Sequence, residues 1–192
     1  MSSDLAPFSS MSDFIQEVIV GFAQGAPRHH HLVFKAHPLE DGRVPMRHTV
    51  KETARKNNIG ERVLFVGGGK LAPLLNAAKS AVTVNSTAGQ QVLWRGLPLK
   101  VFGDSVYGKP EFVSGQPLAK FFSDPTPPNS TLYKAYRRYL LQTSQIPGGF
   151  YSASGRKRLL RRVVDMMLSA QDPYEVFHPD TAAPQQQFKI VT

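Results

Sequence analysis

The chain has 192 residues, 41% of them hydrophobic and 19% charged, and its 23 basic against 14 acidic residues leave a formal net charge of +9. That composition excludes wholesale disorder and allows one sizeable core, or a core with an appendage. With no cysteine, disulfides, thiolate metal sites and cysteine nucleophiles are excluded, which fits a cytoplasmic protein. No run reaches the roughly 18 to 20 apolar residues of a spanning helix. The first residues have neither the basic nor the apolar region of a secretory signal.

In chain order, Phe14, Ile15, Val18, Ile19 and Phe22 recur at spacings of three and four. They predict an amphipathic helix over 11–24 with Ser12 as its cap. Gly25-Ala26-Pro27 breaks the chain, and a short strand over 31–36 ends at His37-Pro38. Glu40-Asp41-Gly42 then makes a turn. A polar helix spans 47–57, Val63-Leu64-Phe65-Val66 is a second strand, and Gly67-Gly68-Gly69 follows at once. Next come a short helix (71–78), a strand (80–84), a helix (89–94) and a fourth strand (99–102). Strands alternating with helices predict a parallel sheet in a three-layer α/β fold. Residues 123–130 read as a turn-rich linker, helices follow over 130–143 and 155–169, and the tail after Asp180 reads as mobile.

Two polar segments close apolar runs: Lys35-Ala36-His37-Pro38 and Asn85-Ser86-Thr87-Ala88-Gly89. In open α/β sheets ligands sit at the carboxyl ends of strands. A cation, an imidazole and two hydroxyls around one crevice suit an anionic, phosphate-bearing ligand. Each piece also has a plainer reading. His37, held extended before Pro38, is either structural or a donor to phosphate. Ser86 or Thr87 caps a helix, and the same helix start can also receive an anion. Gly67, Gly68 and Gly69 are a tight turn or a phosphate cradle, although neither the dinucleotide nor the P-loop spacing is present.

His29-His30-His31 reads as a solvated loop run, and no other pattern completes a metal site, so none is expected. Among the basic residues, Arg156, Lys157, Arg158, Arg161 and Arg162 interleave with Leu159, Leu160, Val163, Val164 and Met167. Read as a helix, they make either an ordinary surface helix or a cationic amphipathic one for an anionic lipid surface. No nucleic-acid-binding pattern accompanies them, and no nucleic-acid partner is expected.

Lys35-Ala36-His37-Pro38-Leu39-Glu40, residues 82–89, residues 95–103 with Tyr107, Phe8-Ser9-Ser10-Met11 and residues 145–151 together resemble the capsule polysaccharide biosynthesis family. These are bacterial transferases that build the β-linked Kdo (3-deoxy-octulosonate) linker of lipid-anchored capsules. The resemblance implies a Rossmann-like domain, one half of a GT-B glycosyltransferase, that uses CMP-Kdo as donor substrate and needs no cofactor or tightly bound metal. It implies donor binding by Lys35, His37, Pro38, Asn85, Ser86, Thr87 and Gly89. His37 would hold the donor phosphate and assist CMP departure, while Ser86 and Thr87 cap the same anion. It also implies a lipid-linked acceptor and a place on the cytoplasmic face of the inner membrane.

Members of that family carry an acceptor-side domain ahead of this region. The chain therefore reads as the C-terminal, donor-binding half, with the missing N-terminal domain or other capsule assembly proteins as partners, and turnover by the chain alone is not expected. Its expected organisation is a donor-binding domain over 1–122, linker and C-terminal helices over 123–170, and a tail over 171–192. The rival reading is a non-catalytic anion- or membrane-surface-binding module.

Overall fold

In a computed structural model, residues 8–36, 45–146, 153–170 and 172–174 are described. His37, Pro38, the turn at residues 40–42, residues 147–151 and nearly all of the tail lie outside them. The chain divides into two compact units, Met1–Tyr133 and Lys134–Thr192.

The first unit opens with α1 (Met11–Gly25), which buries Ile15, Val18, Ile19 and Phe22 on one face. The apolar spacing of three and four is the cause. Ser10, not Ser12, caps it: its Oγ accepts from the Asp13 N–H at 3.2 Å. Then follow β1 (Leu32–Lys35), α2 (Met46–Lys56), a 3-10 turn (Gly60–Arg62) and β2 (Val63–Val66). The chain leaves α2 through Asn58 at φ 57, a left-handed position that asparagine tolerates. Beyond these lie α3 (Leu71–Ala77), β3 (Ala81–Thr83), α4 (Gly89–Trp94), β4 (Leu99–Val101) and α5 (Leu118–Ser123).

The strands correct the expected sheet. β1 pairs parallel with β2, from Leu32 opposite Val63 to Lys35 opposite Val66. β3 pairs parallel with β4, from Ala81 opposite Leu99 to Thr83 opposite Val101. These are two separate two-stranded sheets, not one Rossmann-like sheet or half of a GT-B enzyme. The fold is mixed α/β with helices dominant. Strands of three or four residues carry few ladder bonds, and side chains unite the two pairs instead. Phe34 and Phe65 from one pair, with Val82 and with Phe102 just past β4, all pack on the core of Ile15, Ile19, Phe22, Val50 and Phe121.

Helix α5 was not expected, and it seals that core with Leu118, Phe121 and Phe122. It can do so because α1 presents glycines. A Cβ on Gly25 would run into the backbone of Ala119, and one on Gly21 into the Leu118 side chain. Only bare Cα atoms let the two helices approach this closely.

Helix α6 (Ser130–Thr143) starts in the first unit, where Asn129 caps it through Oδ1 to the Leu132 N–H at 3.0 Å. Tyr133 is buried there; its hydroxyl donates to the Gln90 carbonyl at 3.1 Å, and its ring meets Phe112 edge-on. In the second unit, α7 (Ala153–Met167) buries no residue.

Candidate functional site

Two loops at strand carboxyl ends hold the candidate residues that the structure describes. The first follows β3. Val84 bends the chain, and its carbonyl accepts from the Gly103 N–H at 2.7 Å, tying the loop to the end of β4. Thr83 Oγ1 accepts from the Ser86 N–H at 3.3 Å, and Ser86 Oγ accepts from the Ala88 N–H at 3.2 Å. The Ser86 carbonyl accepts from the Gly89 N–H at 2.9 Å and also from the Tyr107 hydroxyl. Tyr107 is itself buried, and that burial pushes its phenol above the ordinary tyrosine range.

Ser86 Oγ is therefore engaged by backbone in a turn ahead of α4. The N-cap position of that helix is Ala88 and carries no side-chain cap, so the expected serine or threonine cap is not formed. Asn85 and Thr87 are different. Both side chains are exposed, and neither has a hydrogen-bond partner among the described residues. A hydroxyl donor next to a helix start, on a loop pinned at both ends, is chemically suited to an oxyanion. Gly89 is buried against Tyr107, so its role is to let the loop close.

The second loop follows β2. Gly67, Gly68 and Gly69 are exposed, and Gly69 sits at φ +79. Lys35 ends β1 opposite Val66, so it stands beside this loop. It is half-buried, and its Nζ donates to the Ala36 carbonyl at 3.0 Å. Among the described residues no hydrogen bond or ion pair links this loop to the one after β3.

Sequence reasoning missed Arg47. From the first turn of α2 its guanidinium lies over the Phe65 ring at 5.3 Å and reaches toward Gly67. The nearest available signal was its cationic side chain at a helix start. Two other cations serve the fold. Arg62 donates to the carbonyls of Pro27 (2.7 Å), His30 (3.1 Å) and Ala26 (3.3 Å). Lys100 donates to the Gln116 carbonyl at 2.6 Å, and burial lowers its pKa. Among the described residues no cluster of His, Asp or Glu is placed to hold a metal ion.

On α7, Arg156, Lys157, Arg158, Arg161 and Arg162 are exposed. So are Leu160 (62%), Val164 (50%) and Met167 (79%), which share a helix face at spacings of four and three. Among the described residues no helix is long and apolar enough to cross a membrane.

Residues 3–151 match the family described as capsule polysaccharide biosynthesis protein. The chain belongs to that family. It is 34% identical over 144 residues to the capsule polysaccharide export protein KpsS of Escherichia coli, covering 75% of this chain and 37% of that protein. It is also 34% identical over 146 residues to the capsule polysaccharide modification protein LipB of Neisseria meningitidis serogroup A, covering 76% and 35%. LipB of serogroup B matches to the same extent. The chain thus spans little more than a third of the length of these relatives. No solved structure matches. The matched region, residues 3–151, corrects the reading of the chain as a C-terminal donor-binding half.

Proposed function

We propose that this chain binds the nucleotide-sugar donor, CMP-Kdo, of a glycosyl transfer in capsule assembly. The observation that carries the reading is the Asn85-Ser86-Thr87 loop, held by Gly103 and Tyr107, whose Thr87 hydroxyl is exposed and without a partner among the described residues. The family and the names of its relatives supply the capsule context. In this reading the Thr87 hydroxyl donates to the donor phosphate, Ser86 holds the loop in shape beside Asn85, and Lys35 neutralises charge. His37, which lies outside the described residues, holds the phosphate and assists departure of CMP. A hydroxyl of the lipid-linked acceptor forms the new bond to the anomeric carbon and releases its proton to solvent. The bond from that carbon to the phosphate oxygen breaks, and CMP leaves with the electron pair, stabilised by these donors. The reaction belongs on the cytoplasmic face of the inner membrane, with other capsule assembly proteins as partners.

Calorimetric titration of the chain with CMP tests this, with UDP as the control nucleotide. Saturable CMP binding, weaker for UDP and lost in His37→Ala, is expected. An absence of saturable binding, or undiminished binding in both His37→Ala and Thr87→Val, overturns it.

A second reading rests on α7. Its exposed Leu160, Val164 and Met167 beside Arg158, Arg161 and Arg162 suit an anionic lipid surface. Residues 153–167 lie beyond the family match, so this contact would be a property of the chain's own appendage. Cosedimentation with phosphatidylglycerol vesicles, reduced in Arg161→Glu and Leu160→Asp, is expected. Equal binding to phosphatidylcholine vesicles overturns it.

A further inference from the structure

We propose that Arg47 and the glycine turn at residues 67–69 form a phosphate clamp at the carboxyl end of β2. The clamp deepens the donor-binding reading, on which it rests, by assigning that donor's phosphate a guanidinium that neither the sequence motifs nor the relatives' names single out.

Four observations meet at this point. First, the Arg47 guanidinium lies over the Phe65 ring at 5.3 Å. Stacking on an aromatic face restrains an otherwise flexible side chain and leaves the edge of the guanidinium open for bidentate recognition. Second, Arg47 forms no ion pair or hydrogen bond among the described residues, so no carboxylate there neutralises it.

Third, Arg47 Nη2 is 3.9 Å from the place a Cβ would take on Gly67, while a Cβ on Gly68 or Gly69 would meet nothing within 4 Å. Glycine at all three positions leaves the space between guanidinium and backbone open. Fourth, the N–H groups of residues 67–69 have no hydrogen-bond partner among the described residues, and Gly69 takes the left-handed conformation at φ +79. Successive N–H groups in a turn with a left-handed residue make a concave anion-binding surface.

The parts divide the work in a way phosphate requires. Backbone N–H groups give directional bonds but little charge, and the guanidinium gives charge with a planar pair of donors. Lys35, at the end of β1 opposite Val66, adds a second positive charge beside the turn. A phosphate ester fits this combination better than a carboxylate, since it has an oxygen for each kind of donor.

The test is amide-resolved NMR titration of the full chain with CMP, and in parallel with inorganic pyrophosphate. The amide resonances of residues 67–69 are expected to move with both probes. Arg47→Gln is expected to weaken both affinities roughly tenfold, the usual scale of a charge-assisted bond to phosphate. Arg55→Gln, the same charge change on the same helix at an exposed position, is expected to leave them unchanged.

If CMP moves the amides of Ser86 and Thr87 while residues 67–69 stay still, or if Arg47→Gln binds as tightly as the parent chain, the clamp is overturned and the donor reading stands. If CMP does not bind but pyrophosphate moves residues 67–69 in an Arg47-dependent way, the donor reading fails and the clamp stands as an oxyanion site. If neither probe binds, both fail.

Discussion

Gly89 and Tyr107 occupy one another's space: a Cβ added to Gly89 would fall inside the van der Waals envelope of the Tyr107 phenol, with its oxygen nearest. The same phenol donates to the Ser86 carbonyl, so one buried side chain sets the loop after β3 from two directions. Gly89→Ala is expected to destabilise the fold by about 1–3 kcal/mol through overpacking, and Tyr107→Phe by about 1 kcal/mol through loss of the hydrogen bond. The double variant should cost less than the sum, because removing the phenol oxygen relieves the closest clash. Urea denaturation of the four proteins measures this, and strict additivity would refute the coupling.

Ser86 and Thr87 are neighbours with separable duties. Ser86 Oγ accepts from the Ala88 N–H, whereas the Thr87 hydroxyl is exposed without a partner among the described residues. Ser86→Ala is expected to cost about 0.5–1.5 kcal/mol of stability, the usual range for one lost intramolecular hydrogen bond. Thr87→Val should leave stability within about 0.5 kcal/mol, as for other surface changes, yet weaken CMP binding. A Thr87→Val chain that melts early and binds CMP normally would reverse the assignment.

Arg62 joins three carbonyls of the segment between α1 and β1 while lying over the Phe22 ring at 4.7 Å. Arg62→Lys keeps the charge but not the planar fork, and Arg62→Met keeps neither. Losses of about 1 kcal/mol and about 2 kcal/mol respectively are expected from the donors removed. Equal stability of the lysine variant and the parent in thermal melts would show that charge alone suffices.

His30 gives the fold an acid sensitivity. Its pKa lies below 6.5, first because burial disfavours the charged ring and then because His29, Lys79 and Arg62 repel it. The unfolded chain therefore takes up this proton at a higher pH than the folded one. The stabilising contribution is complete above pH 6.5 and is lost as pH falls from there toward the folded value. In His30→Gln the melting temperature should decline less steeply between about pH 7 and pH 5 than in the parent; parallel profiles would contradict the shift.

Much of the helical layout could be read from the chain because helices are local. The run of Ile15, Val18, Ile19 and Phe22 sets α1, and Asn57-Asn58 ends α2 because asparagine accepts the left-handed turn. Even there the sequence points to Ser12 as the cap, since a hydroxyl at either position satisfies the pattern, and only the observed bond chooses Ser10. Helix α5 is not legible because, unlike the equally short α4, Leu-Ala-Lys-Phe-Phe-Ser has no strand after it to frame a strand-helix-strand unit. What gives it a place is the bare glycine surface of α1, far away in sequence.

Of the candidate site, the residue types after β3 and β2 were visible in the sequence, because strand ends followed by Ser-Thr or Gly-Gly-Gly are local signals. Their partners were not. That Tyr107 closes onto Ser86 and that Arg47 reaches Gly67 depends on side chains brought together from separate elements.

The sequence by itself determined the helices other than α5, the short strands and the polar segments at their ends, since backbone preference and apolar period act over a few residues. Only the tertiary structure decided that the strands pair as two couples. Ladder bonds between strands, and the packing of Phe34, Phe65, Val82 and Phe102 on one core, are non-local terms that no window of sequence contains.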